Sequence, residues 1–187
     1  MMRSLALTLL VLLAGCAPTT APHVPSVALP STHGGVEAFP ANLSQAPWTV
    51  LVFFSADCPC FSAHEARLAE LARAYGPRGV RFLLVDSELD ASLARDALLS
   101  RERDLALPIV IDADAVLADA LAAEYATYSV VLDATGSVRF RGGIDSDKSY
   151  LSADATAYLS EALDDLLQGA QPRRTEAKAL GCLLSTR

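Results

Sequence analysis

Apolar positions along this chain fall into two kinds of run, and each predicts a different element. Trp48 to Phe54 is apolar throughout except for Thr49, the mark of a strand buried on both faces of a sheet. Gly79-Val80-Arg81-Phe82-Leu83-Leu84-Val85 predicts a second such strand. Between them Phe61, His64, Leu68, Leu71 and Tyr75 recur at helical spacing, with Glu65, Arg67 and Glu70 largely off that stripe, so a helix is expected over 61–75. Gly76-Pro77 ends it, since glycine and proline stop a helix from continuing. A second helix is expected from about Ala91 to Arg101, a short strand over Leu107 to Asp112, and an alanine-rich helix from Ala113 to Tyr125. Ser129 to Asp133 and Ser137 to Arg141 flank Ala134-Thr135-Gly136, which predicts a β-hairpin. A last amphipathic helix spans about Ala153 to Leu167. The short βαβα connections favour parallel strands joined by right-handed crossovers, hence an α/β fold.

The ends of the chain break this pattern. Arg3 is followed by the apolar run Leu5 to Leu13 and then by Leu13-Ala14-Gly15-Cys16. A run of about nine residues is roughly half of what a membrane-spanning helix needs, so it reads as a cleaved export signal. Leu-Ala-Gly-Cys resembles the bacterial lipoprotein signal, which implies residues 1–15 as signal peptide, a lipid on Cys16 and attachment to the cell envelope, facing the periplasm from the outer membrane. Residues 16–45 are rich in Pro, Thr, Ser and His without apolar periodicity and are expected to form a flexible tether. His23 and His33 lie there and are given no role. Residues 46–170 hold the globular pattern, and 171–187 form a tail carrying Cys182.

Charge removes one class of partner. The formal net charge is −7, and no stretch gathers the basic residues that nucleic acid demands, so nucleic acid is excluded as a partner. With Cys16 lipidated, the thiols left are Cys58, Cys60 and Cys182, too few for a disulfide scaffold. Their placement points to chemistry instead. Cys58 stands where the strand hands over to the helix, and the unpaired N–H groups of a helix start favour thiolate over thiol. Cys58 is therefore the expected nucleophile, with Asp57 as a candidate cap for the helix. A Cys58–Cys60 disulfide requires Cys58 at the N-cap and Pro59 as first helical residue, because positions two apart on a helix face nearly opposite ways. Cys60 and His64, four apart, share a helical face, a spacing that suits two ligands of one metal ion. Cys58, Cys60 and His64 thus form an alternative site for Cu(I) or Zn. Cys182 is a resolving thiol, a metal ligand or a free cysteine in the tail.

The order of strand, cysteine motif at a helix start, strand, helix, hairpin and final helix resembles the thioredoxin-like superfamily, in particular exported bacterial redoxins. The likeness runs from about Trp48 to Cys182. It rests on Val52-Phe53-Phe54-Ser55-Ala56-Asp57-Cys58-Pro59-Cys60, on Gly79 to Val85, on Val131-Leu132-Asp133-Ala134-Thr135-Gly136 leading into Phe140-Arg141-Gly142-Gly143-Ile144-Asp145, and on the closing Gly181-Cys182. It implies a central mixed sheet flanked by helices and thiol–disulfide exchange with protein thiols and disulfides of the cell envelope. In that exchange Cys58 attacks, Cys60 or Cys182 resolves, and no organic cofactor takes part. Two positions depart from the family. Thr127 stands where a cis-proline is usual, leaving a backbone N–H and a hydroxyl near the sulfurs, and Phe61 occupies the usual resolving position. Ser55, three residues before Cys58, is similar to peroxiredoxins and implies a further alternative, a peroxidase. The proline of that motif is Leu51 here, and Arg139 and Arg141 are expected to be solvated or paired.

Overall fold

The structure, a computed structural model, describes residues 22–186. The signal segment and Cys16 lie outside the described residues. The chain opens with an antiparallel hairpin, β1 (Val27–Pro30) and β2 (Val36–Phe39), followed by a short 3-10 turn. Next come β3 (Trp48–Phe53), α1 (Pro59–Tyr75), β4 (Val80–Asp86), α2 (Leu93–Glu102), β5 (Ile109–Ile111) and α3 (Val116–Leu121). A second hairpin, β6 (Tyr128–Asp133) with β7 (Val138–Gly143), precedes α4 (Tyr158–Leu167). The five longer-range strands form one mixed sheet in the order β5-β4-β3-β6-β7. Within it β3, β4 and β5 run parallel, while β6 and β7 are antiparallel to their neighbours.

β3 and β4 are buried on both faces, as their apolar runs, broken only by Thr49 and Arg81 before the closing Asp86, require. Alternation sorts their side chains: Val50 and Val52 join Phe61, Leu68, Leu159 and Leu163 on the face covered by α1 and α4. Leu51 and Phe53 join Leu43, Leu117, Leu121 and Val130 on the other, covered by α3 and the N-terminal hairpin. Two hydrophobic layers therefore sandwich the sheet, which is the expected central mixed sheet flanked by helices.

The segment from Pro22 to Gln45 corrects the expectation of a tether over 16–45. It is folded, and most of what holds it is far away in sequence: the Val24 N–H donates to the Gly136 carbonyl, Val138 N–H to the Pro22 carbonyl, and Thr32 N–H to the Ile109 carbonyl. Leu29, Phe39 and Leu43 bury their side chains beneath the sheet. Strands of four residues have too little length to show a period, so their pairing partners decide them.

Two helices are shorter than their patterns. α3 covers only Val116–Leu121, because Ala115 and Ala122 both take the left-handed conformation at its ends (φ 54° and 55°). The buried Asp112 carboxylate accepts the Leu117 and Ala118 N–H groups and fixes its start. α4 begins at Tyr158, not near Ala153, since Ser146 and Thr156 bond reciprocally and close the preceding loop. The tail past residue 170 is also held: Arg141 and Ala177 N–H groups donate to the carbonyls of Thr175 and Arg141, laying it along β7.

Candidate active site at the start of α1

Cys58 is the N-cap of α1, with extended backbone (φ −82°, ψ 112°), and Pro59 is the first helical residue. Proline fits there because the N–H it lacks has no intrahelical acceptor. The Ser62 N–H closes the first helical bond on the Cys58 carbonyl at 3.0 Å, and the Cys58 N–H donates to Ser55 at 3.2 Å. Asp57 is exposed and does not cap the helix; the cap position belongs to Cys58 and carries no side-chain hydrogen bond.

The sulfur of Cys58 is bonded to that of Cys182, with 5.8 Å between the Cα atoms. Of the pairings left open by the sequence, the structure forms this one. Cys60, at the second helical position, stays a buried free thiol. All three sulfurs nevertheless lie within 4.8 Å of one another. Cys58 and Cys60 are 1% and 3% exposed, while Cys182 is half-buried.

The tail is brought to this point by backbone pairing. Ala126 N–H donates to the Cys182 carbonyl and Leu184 N–H to the Glu124 carbonyl, with Tyr125 and Leu183 opposed in an antiparallel bridge. Gly181 makes the approach possible: a Cβ there would stand 1.8 Å from the Ala126 oxygen. Thr127, at the departure from the family proline, is buried with φ 75°. Its N–H and hydroxyl are not left free near the sulfurs. The N–H donates to Phe53 and the hydroxyl to Leu180, so both serve to hold β3 and the tail together.

His64 is not part of the group that the three sulfurs form. Its Nδ1–H donates to the Cys60 carbonyl at 2.7 Å and Nε2 meets Asp145 Oδ1 at 3.1 Å. Both partners are acceptors, which leaves no nitrogen lone pair for a metal, and the set Cys58, Cys60 and His64 is not assembled. Burial alone pulls the imidazole pKa down, but the Asp145 hydrogen bond, the Cys60 carbonyl and the Asp145 charge outweigh it and raise it. Burial pushes the Asp145 carboxyl up, and hydrogen bonds from His64, Arg67 and the Asp147 N–H reverse this and hold it below the ordinary range.

A cleft of about 450 Å³ opens beside the disulfide, lined by Ser55, Asp57, Cys58, Glu88, Asp90, Arg95 and Cys182 among others. Burial raises the Glu88 carboxyl, opposed by its hydrogen bonds with Ser55 and the Ser185 N–H. Beneath it, burial pushes Asp86 up to about 7 despite the Glu88 N–H, helped by the nearby Asp96. Arg95 donates to both Asp86 and Asp96. None of these acids was singled out from the sequence. The available signal was position, because parallel β3 and β4 end side by side, and the loop after β4 must face the cysteine loop after β3. Arg139 and Arg141 are paired, with Asp133 and Glu176.

A disulfide at the N-terminus of the helix that follows the central strand of a mixed sheet defines a redoxin of thioredoxin-like fold. The chain belongs to the AhpC/TSA family, whose pattern it matches over residues 21–141. Its fold is similar to that of an uncharacterized conserved protein from Geobacillus kaustophilus, with a TM-score of 0.79 at 23% identity over 92% of this chain and 94% of that one. Peroxidoxin BcpB from Mycobacterium tuberculosis is also similar, with a TM-score of 0.60 at 18% identity over 80% of this chain and 96% of that one. A thiol-disulfide oxidoreductase from Bacteroides fragilis NCTC 9343 gives 0.53 at 21% identity over 64% and 88% respectively. No curated protein matches the sequence.

Proposed function

We propose that this protein is a thiol–disulfide oxidoreductase of the cell envelope, held to the membrane by a lipid on Cys16 and facing the periplasm. The observation that carries the reading is the Cys58–Cys182 disulfide at the mouth of the acidic cleft. In the reduced protein the Cys58 thiolate, stabilised by the N–H groups of the first turn of α1, attacks a disulfide of a partner protein. One partner sulfur leaves as thiolate and the other stays bonded to Cys58. Cys182 then attacks Cys58, closing the intramolecular disulfide and releasing the partner as a dithiol. Cys58 is nearly covered when the tail is docked, so the Leu180–Leu184 segment must lift for a protein substrate to reach it. Partners are therefore expected to be proteins with exposed, reducible cystines.

The test is a redox titration of the purified chain against glutathione buffers, read by thiol trapping and mass. A two-electron couple is expected, lost in Cys58→Ser. Cys182→Ser is expected to accumulate a mixed disulfide at Cys58. The reading fails if no couple is found, or if Cys58→Ser retains it.

A further inference from the structure

Cys60 has no part in the exchange just described, yet its thiol is buried against the two sulfurs that do. From this placement we propose that reducing the Cys58–Cys182 bond creates a three-sulfur site for Cu(I), with Cys58, Cys60 and Cys182 as ligands. Three sulfurs around one thiophilic ion at about 2.3 Å would stand roughly 4 Å apart. Cys60 already lies within 4.8 Å of both partners. Only the Cys58–Cys182 pair has to separate, from a covalent distance of about 2 Å to roughly twice that. The backbone can hold the ligands while this happens. Cys58 and Cys60 are fixed by the first turn of α1, and Cys182 by the bond between its carbonyl and the Ala126 N–H, none of which depends on the disulfide.

The chemistry selects the ion. Soft thiolates favour Cu(I), and a bound cation deprotonates the thiols that ligate it. Zinc ordinarily takes four ligands. Here Cys58 and Cys60 belong to the same apolar cluster as Phe54, Phe61, Ala126 and Ile144, and His64, turned to Asp145, offers no fourth ligand. The site is gated by redox state. A dithiol supplies two electrons and two protons to Cys58–Cys182 and closes to its own disulfide; Cu(I) then displaces the thiol protons. Reoxidation by a disulfide re-forms Cys58–Cys182, returns the electrons and releases the ion.

The experiment uses the full chain carrying Cys16→Ser, in detergent, so that these three are the only thiols. The protein is reduced with dithiothreitol, freed of reductant without oxygen, and titrated with Cu(I) against bathocuproine disulfonate. X-ray absorption counts the sulfurs on the bound metal. One Cu(I) with three sulfurs is expected in the reduced protein. Cys60→Ser and Cys60→Ala, each checked by circular dichroism for folding, should each lose roughly 100-fold or more in affinity, above the cost of losing an outer-shell partner, and show two sulfurs. The oxidised protein should lose the site. Equal affinity in the Cys60 variants, two sulfurs in the parent, or equal binding by the oxidised protein would each overturn it. A missing glutathione couple with three sulfurs on copper would sink the exchange reading alone.

Discussion

Asp145 takes the His64 imidazole, the Arg67 guanidinium and the Asp147 N–H while only 3% exposed. Two opposite shifts make its worth depend on pH. The raised His64 contributes stability that is fully present below about 6.5 and lost as pH climbs through its folded value. The lowered Asp145 contributes stability present above 3.8 and lost as pH falls. Asp145→Asn is therefore expected to cost about 3 kcal/mol between those limits, as removal of one partner from a buried ion pair does. The gap to the parent should narrow toward pH 3 and toward pH 9. Denaturant unfolding across that range checks it, and a pH-independent gap would refute the account. The His64–Asp145 bond shows where sequence reading stopped: the helical stripe placed His64 on a buried face, but its partner is 81 residues away, and no local pattern signals such a pair.

Among the elements, those that bury continuous apolar runs were readable from the chain, because burial on both faces leaves its own record in composition. β3 and β4 are of this kind, whereas α1 starts at Pro59, two residues before the helix its apolar stripe predicts. The extent of α3 was not readable, since alanine favours a helix and only the Asp112 carboxylate and two left-handed alanines cut it short. The docking of the tail was still less so, because it depends on backbone pairing to residues 124–127 and on a single glycine. Gly181→Ala is accordingly expected to push Cys182 away from Cys58. Such overpacking costs typically 1–3 kcal/mol. A non-reducing peptide map should show Cys58 and Cys182 as free thiols in a large share of molecules, and an unchanged disulfide content would contradict the role given to this contact.

At the scale of the molecule, the two ends of the sheet do different things. The cysteine loop, Glu88 and the docked tail gather at the C-terminal ends of β3 and β4. The described residues begin at the other end: Pro22 and Val24 pair with Val138 and Gly136, and Trp48 at the start of β3 lies opposite Asp133 next to that turn. With the lipid on Cys16 as proposed, five residues separate the anchor from Pro22, and the six steps between them reach at most about 20 Å. The protein would then stand on the bilayer like a bollard, its base moored and its reactive sulfurs on the outward pole, roughly one strand length farther out. Cys58 on liposome-bound, reduced protein should react with a soluble thiol reagent as fast as on detergent-dispersed protein, and severalfold shielding by the bilayer would show the opposite orientation. So moored, the protein would meet clients arriving from the aqueous side and have little reach toward cystines buried in the membrane beneath it.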